Sequence, residues 1–238
     1  STLRLMLPEM YLDKPGEAER IAAINATMDR YMADGTLESR GEGFVFVRRT
    51  VDGKTRSGLV VALDLEQYDY SRGSETLIRA SEGTIVERIP PRLRIRKDAA
   101  LELPHILVLI DDPQHTVIEP LADAATAGNR LYNFELMLGG GRIEGYMVRD
   151  AGRIQGVLRA LEALADPTRF AEQYGADKKP MLFAMGDGNH SFATAKANWE
   201  ALKQTLSPAE QENHPARYAL VELENIHDEG ILFEPIHR

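Results

Sequence analysis

The chain has no cysteine and no long apolar run. Without cysteine it cannot form disulfides, bind a metal through thiolates or use a cysteine nucleophile, and this composition fits a reducing compartment. The longest apolar runs are too short to span a bilayer, and the opening STLRLMLPEM lacks the apolar core of a signal peptide. We therefore expect a cytoplasmic protein that does not contact a membrane.

Basic residues are also in deficit, with 28 Lys and Arg against 37 Asp and Glu and a formal net charge of -9. Because this charge repels a phosphate backbone, we do not expect the chain to bind nucleic acid. An apolar fraction of 43% is ordinary for a folded protein, and 238 residues suit a single domain over residues 1–238. An apolar run touches each abrupt end, so we expect a fragment of a longer chain that lacks residues at both ends.

The apolar pattern predicts an α+β fold, in which a mixed sheet with hairpins has flanking helices. Hairpins are predicted where apolar runs surround turn signals, at FVFVRRT-VDGKT-RSGLVVALDL and at YNFELML-GGGR-IEGYMV. Further strands are predicted at STLRLMLP, ILVLI, MLFAM and RYALVELEN. Helical spacing predicts helices over PGEAERIAAINATMDRYMADG, from Ile154 to a stop at Pro167, and after GDGNHS. Glu222 and Glu224 alternate along the last strand, which predicts that both are solvated.

The stretch MLFAMGDGNHSFATAKANWE passes from a buried strand over Gly186 and Gly188 into a helix. A helix start carries backbone N–H groups without intrahelical partners and the positive end of the helix dipole, so it attracts anions. The glycines let the backbone approach a ligand closely, and Ser191 can cap the helix or contact a phosphate oxygen. We therefore predict an anion site between Gly186 and Ser191.

Three known loop types do not account for this stretch. The P-loop pattern GxxxxGK[ST] is absent, and the dinucleotide pattern GxGxxG has Ser191 in place of its third glycine. A calcium loop starting at Asp187 would lack the central glycine and carry Asn198 where the bidentate glutamate belongs. A plain turn, in which Asp187 caps the helix and His190 lies on the surface, is the alternative interpretation.

Two other clusters are candidates for phosphate chemistry. Asp111 and Asp112 follow the predicted strand ILVLI and could hold a magnesium ion, or they could form a simple DDP turn. The other cluster consists of arginines that could bind phosphate, although the alternation of arginines in RLRIR favours the exposed face of a strand. Its members are Arg79, Arg88, Arg92, Arg94 and Arg96.

Four segments, GDGNHSFATAKANWE, SEGTIVERIPPR, LELPHILVLIDDP and FEPIHR, closely resemble the bacterial family called domain of unknown function 1015. The resemblance covers essentially the whole chain. The usual motif of that family, DGHHRYETA, is related to the phosphate-binding motif of the fold shared by ParB, sulfiredoxin and the free-serine kinases. The resemblance therefore implies a ParB/sulfiredoxin-like core that holds the phosphates of ATP or ADP at the helix start.

The family motif is matched here at Asp187, Gly188 and His190, whereas Asn189 and Ser191 replace a histidine and an arginine. Serine cannot supply the bidentate phosphate contact of the lost arginine. Lys196, one turn further along the helix, is a candidate to compensate for the lost arginine. The Glu-x-Thr and following Arg of the family correspond to Glu82, Thr84 and Arg88, and its final Pro-x-His-Arg corresponds to Pro235, His237 and Arg238.

The resemblance implies a nucleotide-dependent phosphotransferase that acts on a small hydroxyl metabolite, and free serine is the leading candidate for this substrate. In this hypothesis the backbone from Gly186 to Ser191 holds the phosphates, and Asp187 or Glu82 accepts the hydroxyl proton. The transferred group would be stabilised by His190, His237 and Arg238, and magnesium would be positioned by Asp111 or Asp112. Two other hypotheses stay open. One is a ParB-like nucleotide-binding switch that controls a partner or a homodimer contact, and the other is a non-catalytic interaction domain.

Overall fold

The computed structural model describes residues 2–103 and 106–231, so the predicted site residues His237 and Arg238 lie outside the described ranges. Its centre is an eight-stranded sheet. The strands are β1 (Phe44–Val51), β2 (Lys54–Asp64), β3 (Ile78–Arg79), β4 (Leu107–Ile110), β5 (Arg130–Glu135), β6 (Arg142–Val148), β7 (Phe183–Asp187) and β8 (Tyr218–Asn225). The α-helices are α1 (Glu17–Ala33), α2 (Ile89–Arg96), α3 (Ala151–Leu164), α4 (Pro167–Tyr174), α5 (Asn189–Lys203) and α6 (Pro208–Glu212). Across these ranges no helix is both long and apolar enough to cross a membrane.

The strands lie in the order β3-β7-β4-β8-β2-β1-β6-β5. β3 pairs with β7 and β4 with β8 in parallel, whereas the other neighbours are antiparallel, so the predicted mixed sheet is confirmed. Both predicted hairpins are also confirmed. The first turns at Asp52 and Gly53, whose φ angles of 50° and 76° are those of the tight turn that an Asp-Gly pair favours.

The two faces of the sheet differ in what covers them. Because residues directly opposite one another share a face, the pairing of Phe46 with Leu59 and of Leu59 with Leu223 defines a first face. This face packs against α5, where Trp199 is 1% exposed, and against α3 to form the large core. Burying each such side chain contributes on the order of 2 kcal/mol. We call the opposite side the second face, and none of its described residues belongs to that core.

Two predicted strands are wrong. STLRLMLP contains a 3-10 helix, Thr2–Leu5, because Leu5 packs against α1 instead of entering the sheet. RLRIR lies in α2, whose prolines stand in the first turn, where a missing N–H disturbs no intrahelical bond. The arginines of this segment therefore follow helical spacing and do not line one face of a strand.

The polar stretch after α3 also contains structure that the sequence analysis did not predict. The helix predicted to stop at Pro167 ends at Leu164, and Pro167 is instead the first residue of α4. The side chain of Asp166 accepts a hydrogen bond from the N–H of Arg169 and caps this short helix. Proline fits here because the first helical position needs no N–H donor.

Candidate functional site

The predicted anion site lies where β7 ends and α5 begins. Gly188 occupies the N-cap position with φ 88° and ψ 24° and, as a glycine, supplies no side-chain cap. Gly186 and Asp187 are exposed, and Oδ1 of Asp187 accepts a hydrogen bond from the N–H of Gly188 at 2.7 Å. A Cβ at Gly188 would lie 3.2 Å from Ile106. A helix start whose N-cap is a glycine, beside exposed backbone, is a favourable position for an anion.

The first two residues of α5 hold the loop of residues 81–85 against this helix start by hydrogen bonds. Oδ1 of the buried Asn189 accepts a hydrogen bond from the N–H of Ser81 at 3.2 Å, and its Nδ2 donates to the Ser81 hydroxyl at 3.1 Å. Nε2 of His190 accepts a hydrogen bond from the N–H of Ile85 at 3.1 Å. Two segments that carry the family resemblance, SEGTI and GDGNHS, are therefore joined in space.

This loop brings the carboxylate of Glu82 to the imidazole of His190. Oε1 of Glu82 lies 3.8 Å from Nδ1 of His190, and the glutamate side chain is 56% exposed whereas the histidine side chain is 15% exposed. Because Nε2 already accepts a hydrogen bond, the neutral imidazole carries its proton on Nδ1, the atom that faces Glu82. The structure thus places a carboxylate and an imidazole close together beside the start of α5.

Thr84 faces the interior of the protein. Its hydroxyl is buried beside that of Tyr68, which is 1% exposed and packs edge-on against Phe192 of α5. Burial raises the pKa of Tyr68, and the Thr84 hydroxyl partly opposes this shift. Although the two hydroxyls interact, neither makes a hydrogen bond of good geometry within the described residues. Thr84 therefore packs under the loop on the side that faces the protein interior.

Lys196 does not reach the start of α5. Its Nζ lies 2.7 Å from Oε1 of Glu200, one turn further along the helix. Its charge makes only a small contribution to the lowered pKa values of Glu66 and Asp69. Burial raises the pKa of Glu66 but is outweighed by hydrogen bonds from Trp199 and Lys203, and hydrogen bonds from Ser71 dominate the lowered pKa of Asp69. The structure therefore does not place this lysine where it would replace the missing arginine.

Four of the five clustered arginines have partners within the fold. Arg79 donates to three backbone carbonyls, and the other three form ion pairs with carboxylates. These pairs are Arg92 with Glu9, Arg94 with Asp13 and Glu17, and Arg96 with Glu102. Arg88 is exposed at the end of the 3-10 turn Val86–Arg88, which directly follows the fastened loop. Among the five, Arg88 therefore stays the candidate for a phosphate contact.

Asp111 and Asp112 lie at the opposite end of the sheet from Gly188. β4 and β7 are antiparallel, and Leu107 pairs with Asp187, so Asp111 stands roughly 13 Å further along the strand direction. Asp112 is fully buried and accepts hydrogen bonds from the backbone of Thr116 and Val117 at 2.5 and 2.8 Å. These contacts make Asp112 the anchor of a turn.

Asp111 is engaged in a separate cluster. Its Oδ1 lies 2.7 Å from Nε2 of His227, and its Oδ2 accepts a hydrogen bond from the hydroxyl of Tyr174. Burial, with a further contribution from Asp111, raises the pKa of Tyr174 to about 12. Within residues 2–103 and 106–231, no group of three or more His, Asp or Glu side chains could hold a metal ion.

The family model described as Protein of unknown function (DUF1015) matches residues 1–238. The chain belongs to this family. No curated protein and no solved structure matches it. The resemblance noted in the sequence is therefore confirmed at the level of the family.

The DUF1015 chain also places functional groups where the sequence analysis predicted only solvated side chains. Leu107 pairs with both Asp187 and Glu222, so β7 and β8 bring these two residues to the same end of β4, next to a register irregularity between Leu107 and Val108. The prediction for Glu224 is wrong, because this residue is only 4% exposed. Gly58, which pairs with Glu224, was an available signal, since a glycine inside a strand often marks a close approach.

Proposed function

We propose that this DUF1015 chain binds the phosphates of ATP or ADP at the start of α5 and transfers a phosphoryl group to the hydroxyl of a small metabolite. Free serine is the leading candidate for this metabolite. The observation that carries the proposal is the start of α5 at Gly188, which follows the exposed Gly186 and Asp187. Asn189 and His190 hold the loop that contains Glu82 against it. The same proposal includes a ParB/sulfiredoxin-like core, supported by the strand, loop and helix around the family motif.

Each group at the helix start has a role in this proposal. The first-turn N–H groups and the helix dipole stabilise the phosphate charge. The exposed carboxylate of Asp187 or of Glu82 accepts the hydroxyl proton as the new O–P bond forms and the bond to the departing nucleotide breaks. His190 keeps Glu82 in place through Nδ1, and the exposed Arg88 supplies positive charge. His237 and Arg238 stay as predictions.

Magnesium does not fit the two aspartates predicted to hold it. Asp112 already accepts hydrogen bonds from Thr116 and Val117, and Asp111 is bonded to Tyr174 and His227. Both stand at the far end of the sheet from the anion site. The proposed reaction therefore has no step through a metal ion at these residues.

The proposal is tested by incubating the protein with ATP or ADP and serine, with and without magnesium, and measuring phosphoserine by mass spectrometry. We expect product, and a loss of about 100-fold or more in kcat for Asp187→Asn or Glu82→Gln, because a general base contributes that much. Glu87→Gln is the matched control, since this glutamate is exposed two residues beyond the loop. If the protein forms no phosphoserine with either nucleotide, the serine assignment is wrong.

A nucleotide-binding switch is the second candidate, and the fastened loop favours it. Asn189 and His190 hold the loop by hydrogen bonds. A nucleotide that binds at the same helix start would disturb these bonds, and it would thereby change the loop and any surface that the loop forms. Slow phosphate release without an acceptor, together with a nucleotide-dependent monomer–homodimer equilibrium, would support this function. A thermal stability that no nucleotide changes would instead support an interaction domain, because a ligand that binds only the folded state stabilises it.

A further inference from the structure

A cluster of polar side chains lies on the second face of the sheet, away from the large core. Nη2 of Arg56 lies 3.1 Å from Oε1 of Glu222 and 2.9 Å from Oε1 of Glu224. Tyr132 is close enough to Glu222 for the carboxylate to contribute to a raised pKa of the phenol, after the larger effect of burial. Three strands, β2, β8 and β5, therefore contribute to one polar cluster.

Two glycines make room for this cluster. Glu224 pairs with Gly58, Gly58 with Val47, Val47 with Gly145, and Gly145 with Tyr132, so these residues form one row across the sheet. A Cβ at Gly58 would collide with the carboxylate of Glu222, and a Cβ at Gly145 would collide with the ring of Tyr132. Both side chains thus lie flat on the sheet and face each other above Val47.

The cluster contains one donor and one acceptor that are buried without a hydrogen bond. The Glu224 side chain is 5% exposed, and although its Oε1 contacts Nη2 of Arg56, no described donor is directed at it. Nε of Arg56 is likewise buried and donates to no described acceptor. Buried groups of this kind are uncommon in native proteins, and a small molecule with both a donor and an acceptor would satisfy the pair.

This cluster lies near the predicted anion site. Asp187, Leu107 and Glu222 are paired across three neighbouring strands, next to a register irregularity at Leu107, and the Cα atoms of the two acidic residues are roughly 10 Å apart. The side chains of Arg56 and Glu222 are 19% and 17% exposed, so the cluster opens to solvent on that side. A small molecule held there would lie two strands away from Asp187.

We propose that Arg56, Glu222 and Glu224 bind the carboxylate and ammonium groups of a free amino acid. The ammonium group supplies donors for Glu224 and Glu222, and the carboxylate supplies an acceptor for Nε of Arg56. This assignment rests on the proposed function only in that the bound amino acid is the phosphoryl acceptor, with its hydroxyl directed toward Asp187 two strands away. Binding itself requires no nucleotide.

Isothermal titration with serine and the other free amino acids tests the proposal. We expect saturable binding to the wild-type protein and at least tenfold weaker binding to Glu224→Gln, which removes the charge but keeps the shape. Glu144→Gln is the matched control, because Glu144 also pairs with arginines on the sheet but lies on the first face, and its affinity should change less than twofold. Ethanolamine and glycerate, which each lack one charged group of serine, should bind at least tenfold more weakly than serine.

A second variant covers the case in which Glu224→Gln does not fold. Gly58→Ala adds one methyl group whose nearest neighbours are the carboxylate and Cγ of Glu222, and it should also weaken amino-acid binding at least tenfold. Absence of saturable binding to the wild-type protein would overturn the proposal, since a buried water could then satisfy both orphan groups. Affinity that survives both substitutions would overturn it as well.

Titration of ADP into the same samples separates this inference from the proposed function. ADP that binds wild type and Glu224→Gln equally, with serine binding lost in the variant, supports both assignments. Serine binding without any nucleotide binding retains the amino-acid site and removes the phosphotransferase. Nucleotide binding without any amino-acid binding removes the amino-acid site and retains the phosphotransferase.

Discussion

Nε2 of His190 accepts a hydrogen bond from the backbone N–H of Ile85 at 3.1 Å. This bond and the two between Asn189 and Ser81 connect the first turn of α5 to a loop more than a hundred residues earlier in the chain. The helix start and the loop therefore form one unit, and a change in either should be measurable in the other.

Replacing His190 with alanine should loosen the loop. The change removes the acceptor for the N–H of Ile85, a contact worth about 1 kcal/mol, so hydrogen exchange at this amide should accelerate roughly fivefold. His115→Ala is the control, because this histidine bonds Glu119 near the other end of the sheet. Unchanged exchange at Ile85 would mean that the loop does not depend on the histidine.

Restoring the arginine of the family motif should strengthen anion binding. Ser191→Arg adds a charged bidentate donor in the first turn of α5, and we expect about tenfold tighter binding of ADP in 0.1 M salt. Ala201→Arg adds the same charge at an exposed position near the other end of α5. Equal effects of both substitutions would show that only net charge matters and would contradict a site at the helix start.

Gly188→Ala should destabilise the protein because the residue has φ 88° and its Cβ would lie 3.2 Å from Ile106. We expect a loss of about 1–2 kcal/mol in the free energy of unfolding, together with weaker ADP binding. Gly156→Ala provides the contrast. It lies within α3 with nothing near its Cβ, so it should stabilise the protein by about 0.5–1 kcal/mol. Urea unfolding of both variants makes the comparison.

The two adjacent aspartates should behave differently when substituted. Asp112→Ala should cost about 2–4 kcal/mol, because it leaves the N–H groups of Thr116 and Val117 without their acceptor inside the protein. Asp111→Ala should cost less than about 1 kcal/mol, since its side chain is 37% exposed. Nucleotide affinity should be the same in a folded sample of either variant. A similar loss of affinity in both would restore them as a shared phosphate or metal site.

Glu224 should make stability depend on pH. Burial raises its pKa from 4.5 to about 7; Arg56 opposes this shift, whereas Glu222 and Asp228 add to it. The folded chain therefore holds a proton that the unfolded chain releases between about pH 4.5 and 7. The free energy of unfolding should fall as the pH rises through this window, by at most about 1.4 kcal/mol per pH unit. Urea unfolding at several pH values should show a flatter slope for Glu224→Gln than for wild type or for Glu144→Gln.

The fold could be predicted from the sequence where local patterns were unambiguous. Asp52-Gly53 and the glycines after YNFELML specify turns that only a hairpin uses, and the apolar runs ILVLI and MLFAM have the length of buried strands. The alternating arginines of RLRIR were misleading because two prolines at the start of α2 favour a first helical turn as well as a strand boundary. Short segments of this kind take their structure from what they pack against.

The sequence by itself determined that a strand passes over two glycines into a helix, because glycine tolerates the φ of 88° that this turn requires. It also determined membership of the family. Only the tertiary structure decided which distant residues meet there, since strand order sets the neighbours of each residue. It brought Glu82 to His190, moved Asp111 and Asp112 to the other end of the sheet, and placed Glu222 two strands from Asp187.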